Sequence, residues 1–321
     1  MLEQNDSVAG PAGKLSLGDR VAVIIPTFNA ARHWAALSAG IRAQSLVPDQ
    51  VVVIDSSSSD GTAELARRDG FEVIVISPQD FNHGGTRQTG AEYAEGADLL
   101  IYLTQDSVPF ETDAFANLVA AFDDSEIGAA YGRQLPREKA SAIEAHARHF
   151  SYPAAPRVRS WESRRTMGFK SIFFSNAFGA YRRSALMSVG GFSPDVIFGE
   201  DTLVVARMHR AGWKTAYVAN AMVRHSHAYS IAEEFRRYFD IGVLHARESW
   251  LVEQFGSASG EGRRFVISEL KYLLRHGVHL TPSAAARTFA KYLGYKIGRH
   301  ESGIDPRLKY HLGLNRQYWI R

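Results

Sequence analysis

The sequence predicts an α/β chain: a doubly wound, mostly parallel sheet flanked by helices, with a helical C-terminal extension. Three observations predict it. Short apolar runs alternate with amphipathic stretches through the first half of the chain. A polar cluster follows each run, as expected where a parallel sheet opens its carboxyl edge to ligands. Beyond about residue 230 the strand pattern stops and the spacing turns helical.

The first strand is Val21 to Ile25, ended by Pro26, and residues 30–44 read as the helix after it. A second strand runs from Val51 to Ile54, followed by a helix over 61–69 and a third strand from Glu72 to Ile76. A Gly84-Gly85 turn opens a helix from Thr86 to Ala94, and Leu99 to Leu103 is the most apolar strand. Residues 137–169 read as a helix and then a long loop, and apolar segments return at 172–181. A helix spans 200–211 and ends at Gly212. Trp213 to Val218 and Ala221 to Val223 read as two short strands. The rest reads as helices with a break at 256–262. The expected organisation is a flexible tail (1–18), a catalytic domain (19–230) and a basic helical region (231–321).

With 321 residues, 45% hydrophobic and 22% charged, the chain can bury a core and is no disordered or collagen-like protein. It has no cysteine, which excludes disulfides, cysteine-ligated zinc, iron–sulfur clusters and a thiol nucleophile. No run of eighteen apolar residues occurs, and the first eighteen residues lack a leader's apolar core, so the expected location is the cytoplasm. The net charge of +3 is uneven: residues 262–321 hold twelve Lys or Arg against three Asp or Glu, leaving the remainder at −6. A basic end suggests an anionic partner, or equally a solvated helical surface. Nucleic acid is not expected, since no zinc-finger spacing, stacking motif or reading helix is present. The dinucleotide, P-loop, zinc-protease and nucleophile-elbow motifs are also missing from their required positions.

Four polar clusters carry the candidate chemistry: 26–29 (PTFN), 55–62 (DSSSSDGT), 80–85 (DFNHGG) and 104–109 (TQDSVP). Asp55, at a strand end, could accept a pyrimidine N–H or ribose hydroxyls, whereas Asp60 reads as a helix cap. Asp106 could hold a divalent cation on a diphosphate, or make a turn. The glycines after His83 allow close backbone approach, and Arg87 could pair with a phosphate or with Asp106, or lie on the surface. Glu200 and Asp201 open a helix, where acidic residues suit the dipole; one could face a cleft as general base while its neighbour makes a structural contact. His225 and His227 share one face of a strand and could complete a metal site.

In this order the clusters resemble the inverting family 2 glycosyltransferases with the GT-A fold. The resemblance runs from Val21 to about Tyr229 and rests on IIPTFNA (24–30), VVVIDSSSSDGT (51–62), FNHGGTRQTGA (81–91), LTQDSVP (103–109), GGF (190–192), FGEDTLVVARMHRAGW (198–213) and RHSHAYS (224–230). FNHGGTRQTGAEYA, TQDSVP and GRQLPREKASAIEAHARHFSYP (132–153) are similar to the bacterial rhamnosyltransferase branch. The resemblance implies a GT-A sheet and a set of roles. Pro26, Thr27 and Asp55 would hold the base and ribose. Asn29, Ser57, His83, Gly84, Arg87 and Gln105 would join them around the nucleotide sugar. Asp106 would bind Mg²⁺ or Mn²⁺ on the diphosphate, with His225, and His227 as its alternative, as further ligands. Asp201 would be the catalytic base, Glu200 its neighbour in acceptor binding, and Trp213 would pack beneath the site. Two departures stand out: Gln105-Asp106-Ser107 supplies a single carboxylate at the DxD-type motif, and a serine follows Asp55 where a second aspartate is common.

The implied reaction moves a sugar, L-rhamnose from dTDP-L-rhamnose ahead of a UDP-sugar, onto a glycan or a polyprenyl-diphosphate-linked glycan in bacterial surface polysaccharide synthesis. Peripheral association with the inner membrane face would follow from the basic C-terminus, and a bundle that only packs or dimerises is the competing expectation. A non-catalytic nucleotide-sugar binder is disfavoured by Asp106 together with Asp201. A nucleotidyltransferase is disfavoured because PTFNAAR poorly matches a Gly-rich basic loop.

Overall fold

The computed structural model describes residues 19–256 and 259–320; the predicted tail, residues 257–258 of the predicted break, and residue 321 lie outside them. The strands are β1 (Val21–Thr27), β2 (Gln50–Asp55), β3 (Glu72–Val75), β4 (Leu99–Leu103), β5 (Val108–Pro109), β6 (Ile127–Leu135), β7 (Arg157–Arg159), β8 (Phe178–Arg182) and β9 (Lys214–Arg224). The helices are α1 (Ala31–Arg42), α2 (Thr62–Arg68), α3 (His83–Tyr93), α4 (Ala114–Val119), α5 (Ala142–Ser151), α6 (Arg164–Met167), α7 (Arg183–Ser188) and α8 (Glu200–Arg210). The C-terminal set is α9 (Ile231–Arg247), α10 (Ser249–Phe255), α11 (Ser259–His276), α12 (Thr281–Gly298) and α13 (Pro306–Leu312).

One mixed sheet of nine strands orders them β3-β2-β1-β4-β8-β6-β9-β5, with β7 also on β9. The predicted doubly wound part, β3-β2-β1-β4, is parallel throughout. β8 then runs antiparallel to both β4 and β6, and β6 runs parallel to β9. Two reversals restore the original direction, so β1, β2, β3, β4, β6 and β9 all end on one edge, and β8 begins there. Alternate side chains explain the two cores. Ile24, Ile54, Leu100 and Tyr102 face α3 and α8, whereas Val23, Val53, Ile101 and Leu103 face Trp34 and Phe115 of α1 and α4.

Local expectations fail at β6, at β9 and at the predicted break. β6 is absent from the sequence reading because Gly128, Ala129, Ala130 and Gly132 have little strand propensity. The strand needs small residues: a Cβ on Gly132 would lie 2.3 Å from the Phe178 ring. β9 is one strand rather than two; its pairing with β6 shifts register between Val218 and Met222, a bulge around the polar Asn220.

The C-terminal helices pack on the sheet domain. α12 lies against α9 at backbone distance, because a Cβ on Gly294 would sit 2.2 Å from the Phe235 carbonyl oxygen and one on Gly298 2.1 Å from that of Phe239. The predicted break is shorter than expected: α11 already includes Gly260 and Gly262.

Candidate active site

The shared edge gathers the loops after β1, β2, β3, β4, β6 and β9 and the start of β8. Thus the four predicted clusters converge, and 175–177 and 225–227 join them.

At this edge Asp106, His225 and His227 offer ligand atoms that all lie within 4.8 Å of one another. His225 Nε2 is 3.4 Å from one Asp106 oxygen and His227 Nδ1 is 3.7 Å from the other. The His225 ring is oriented from behind: Nδ1 lies 2.8 Å from Gln134 Oε1, and that oxygen also accepts from Arg148. An amide oxygen only accepts, so Nδ1 carries the proton and Nε2 a lone pair. Burial lowers the His225 pKa against the pull of Asp106, keeping the ring neutral. Burial, then His225, likewise lowers His227 to about 3. Nε2 of His225 is buried without a hydrogen-bond partner, its lone pair facing a carboxylate. A cation between them satisfies both, and an oxygen acceptor behind a ligating imidazole, here the Gln134 amide, is the usual kind of support.

Asp201 and Glu200 stand at the start of α8, entered through Gly199 in the left-handed region (φ 75°). Glu200, expected beside the acceptor, makes a structural contact. It is 5% exposed, with Oε1 3.2 Å from the Arg87 guanidinium and 3.1 Å from Asn176 Nδ2. Of the protein partners expected for it, Arg87 pairs with Glu200 and not with Asp106. Asp201 accepts from the backbone N–H groups of Asn176 (3.2 Å) and Thr202 (2.7 Å). Burial, then the charge of Glu200, raises its pKa to about 7. The pair divides because Arg87 holds the Glu200 proton off, leaving Asp201 to carry the repulsion. A carboxylate poised near neutrality is suited to general-base work.

The predicted donor loops are laced together. Asp55 is 1% exposed, and its carboxylate accepts from Thr27 Oγ1 (2.9 Å), Ser58 N (2.8 Å) and Ser58 Oγ (2.6 Å). Gln105 clamps Phe28 through both backbone groups, at 2.7 and 3.1 Å, so its amide joins two loops. Ser57 donates to the Ile76 carbonyl, and Asn29 accepts from Ser59 N–H. Both Asn29 (φ 49°) and Ser57 (φ 54°) are non-glycine residues in the left-handed region, strain that concentrates at functional loops. Gly61 holds the N-cap position of α2, but the Asp60 carboxylate accepts from Thr62 N–H (3.2 Å) at the start of that helix and from Ala31 N–H at the start of α1. Pro26 and Thr27 end β1 beside Ile54 and Asp55.

His83 begins α3, which Asn82 caps. The predicted close approach at Gly84 is to protein: a Cβ there would lie 1.8 Å from the Ser193 carbonyl oxygen. His83 Nε2 contacts Asn315 Oδ1 at 2.9 Å, and Asn315 in turn donates twice to Asp240 at 2.9 Å. The C-terminal segment is thereby fastened to the edge of the site. Trp213 is not beneath the site; it precedes β9, whereas His225 follows it, so they occupy opposite edges of the sheet.

Four contributing residues escape sequence reasoning. Gln134 and Asn176 hold His225 and the acidic pair. Asn315 holds His83. Arg237 stacks on Phe198 (4.6 Å) and Tyr229 (5.6 Å), and among the described residues it has no carboxylate in ion-pair range. It donates to Tyr229 Oη (3.4 Å), and its charge acts on His83, His227 and Asp240 alike, which sets a cation beside the cleft. Gln134 falls within the 132–153 segment without a role assigned to it, and no motif marks the other three.

A doubly wound sheet whose one edge unites a metal-competent trio with a near-neutral carboxylate has the layout of a GT-A nucleotide-sugar transferase. Known structures agree on the fold. The mannosyltransferase PcManGT of Pyrobaculum calidifontis, solved with GDP-Man and Mn²⁺, matches with a TM-score of 0.56 at 20% identity, over 97% of this chain and 88% of that one. TarS 1–349 of S. aureus, solved with UDP-GlcNAc, matches with a TM-score of 0.51 at 14% identity, over 88% and 91%. Residues 22–190 match the Glycosyl transferase family 2 model, and the chain belongs to that family of glycosyltransferases. It is 42% identical over 301 residues to the O-antigen chain rhamnosyltransferase RfbN of Salmonella typhimurium, covering 94% of this chain and 96% of that one. It is 41% identical over 298 residues to the O-antigen chain rhamnosyltransferase WbaN of Salmonella anatum, covering 92% and 95%.

Proposed function

We propose that the protein transfers L-rhamnose from dTDP-L-rhamnose, with inversion, onto a hydroxyl of a polyprenyl-diphosphate-linked glycan in O-antigen synthesis, at the cytoplasmic face of the membrane. What carries this reading is Asp201, poised near neutrality on the same sheet edge as Asp106, His225 and His227, in a chain 42% identical to a rhamnosyltransferase along nearly its whole length. Asp201 removes the proton of the attacking acceptor hydroxyl, and the nucleoside diphosphate departs from the opposite face of the anomeric carbon. Asp106, His225 and His227 would hold the divalent ion, which when bound supplies positive charge to the leaving diphosphate. Two imidazoles beside one carboxylate suit Mn²⁺ better than Mg²⁺, which prefers oxygen ligands. Arg237 takes the charge-stabilising role that Arg87, paired with Glu200, cannot fill. Asn29, Ser57, Gln105 and Asp55 shape the donor loops, and His83 and Gly84 fix the α3 side of the cleft.

The test is a direct assay of donor breakdown. Asp201→Asn is expected to lose ~10²–10⁴-fold in turnover while dTDP binding stays unchanged. Near-normal turnover in this variant would remove Asp201 from the base role. Release of pyrophosphate in place of dTDP would overturn the transferase reaction itself.

A further inference from the structure

Eight of the large exposed apolar side chains fall within residues 266–293, seven on α11 and α12 and one, Val278, in the turn between them. On α11, Ile267, Leu270 and Leu274 recur at helical spacing on the outward side, with Leu274 61% exposed. Their inward counterparts, Glu269 and Leu273, are buried, and Ser268 meets His146 of α5. On α12, Phe289 (66% exposed), Tyr292 and Leu293 form the matching outward stripe. Lys291 of α12 lies 5.2 Å from the Phe265 ring of α11, so the two helices are neighbours. Single exposed apolar residues need no explanation, but a concentration of this size does.

The charge around this face has one sign. Arg263, Lys271, Arg275 and Lys296 are exposed along it. The two helices hold only two carboxylates: Glu269 is buried, and Glu261 is engaged by Lys170 and Arg264. We propose that the outward face of α11 and α12 docks onto an anionic lipid bilayer, with Phe289, Tyr292, Leu270 and Leu274 entering the interface and the basic side chains meeting headgroups. Charge complementarity selects this occupant. A second copy of the chain across a two-fold axis would set the same basic rims against each other.

The placement relates the bilayer to the active edge. Arg287 and Lys291, on the far side of α12 from Phe289, pair with Glu234, and Arg287 also donates to the Tyr229 carbonyl. Tyr229 stacks on His227 at 5.0 Å. One helix thickness, ~10 Å, thus separates the docking face from the loop that carries His227. An acceptor anchored in the bilayer would be presented to that edge; only this last link rests on the proposed function.

The test is sedimentation of the whole protein with vesicles of phosphatidylcholine, with and without phosphatidylglycerol. Binding is expected only with the anionic lipid and is expected to fall with salt. Lys271→Glu with Arg275→Glu should weaken it roughly 30-fold or more. Phe289→Ser with Leu274→Ser should weaken it as well, while dTDP binding and sugar transfer to a water-soluble acceptor stay at wild-type level. Undiminished binding by both variants, or equal binding to neutral vesicles, overturns the proposal. So does a dimer in sedimentation velocity that Phe289→Ser dissolves. If vesicles bind as expected but dTDP-rhamnose is not used, the sugar assignment fails and the docking face stands.

Discussion

Asp201 owes its raised pKa first to burial and second to Glu200, and the second cause can be removed alone. Glu200→Gln keeps the shape of the side chain and deletes its charge. A unit charge at roughly 6 Å in an effective dielectric near 20 is worth about 3 kcal/mol. Arg87, 3.2 Å from Glu200, stays in place in the variant, so its attraction for Asp201 persists while the repulsion is lost. The loss amounts to about two pKa units, moving Asp201 down from near 7. The base must be ionised to act, so activity rises with pH through this pKa. The acid limb of the kcat/KM–pH profile should therefore move down by about two units in Glu200→Gln. Stability runs the other way: a carboxyl whose folded pKa is raised favours the folded state at low pH and loses that contribution as pH rises toward 7. The substitution leaves Arg87 unpaired in the interior, a loss of roughly 3–5 kcal/mol in stability. The position of a pH limb does not depend on how much enzyme is folded, so the readout survives a fall in yield. An unmoved limb, or one shifted upward, would refute the division of roles between the two carboxylates.

Four further outcomes follow from the geometry. Gln134→Leu, which removes the acceptor behind His225, should weaken Mn²⁺ binding ~10–100-fold by titration calorimetry, with the fold intact by circular dichroism; unaltered affinity would show that the support is dispensable. Arg237→Ala should lower kcat about 10²-fold with partial recovery in Arg237→Lys, and unchanged steady-state kinetics would remove it from the charge-stabilising role. Asp240→Ala breaks three bonds to Leu314 and Asn315 and should cost ~3 kcal/mol, seen as a lower Tm and faster amide exchange at 314–315. Gly84→Ala should fold poorly, because its Cβ would meet the Ser193 carbonyl; a thermal midpoint equal to wild type would contradict that packing.

What the sequence revealed follows from how local each signal is. β1, β2 and β4 are near-continuous apolar runs because both faces are covered, and such runs announce themselves. β6 does not, because its glycines and alanines answer to Phe178 and Trp213 across space rather than to strand propensity. The same division runs through the site. Asp106, His225, His227 and Asp201 sit at strand ends or a helix start, where position alone suggests chemistry. The roles of Glu200, Arg87 and Gln105 depend on partners 24 to 113 positions away, so that nothing local distinguishes a structural pair from a ligand contact. Arg237 and Asn315 belong to the C-terminal helices and segment, and they reach the site only because α9 and residues 313–319 fold back onto α3 and α8.

Calorimetric titration of dTDP with and without Mn²⁺, in the wild type and in His225→Ala, tests the central claim most directly. The account predicts binding of dTDP that strengthens with Mn²⁺ in the wild type, exceeds that of UDP and GDP, and loses its metal dependence in His225→Ala. Equal binding of dTDP with and without the ion, or no binding of any of the three nucleotides, would contradict it.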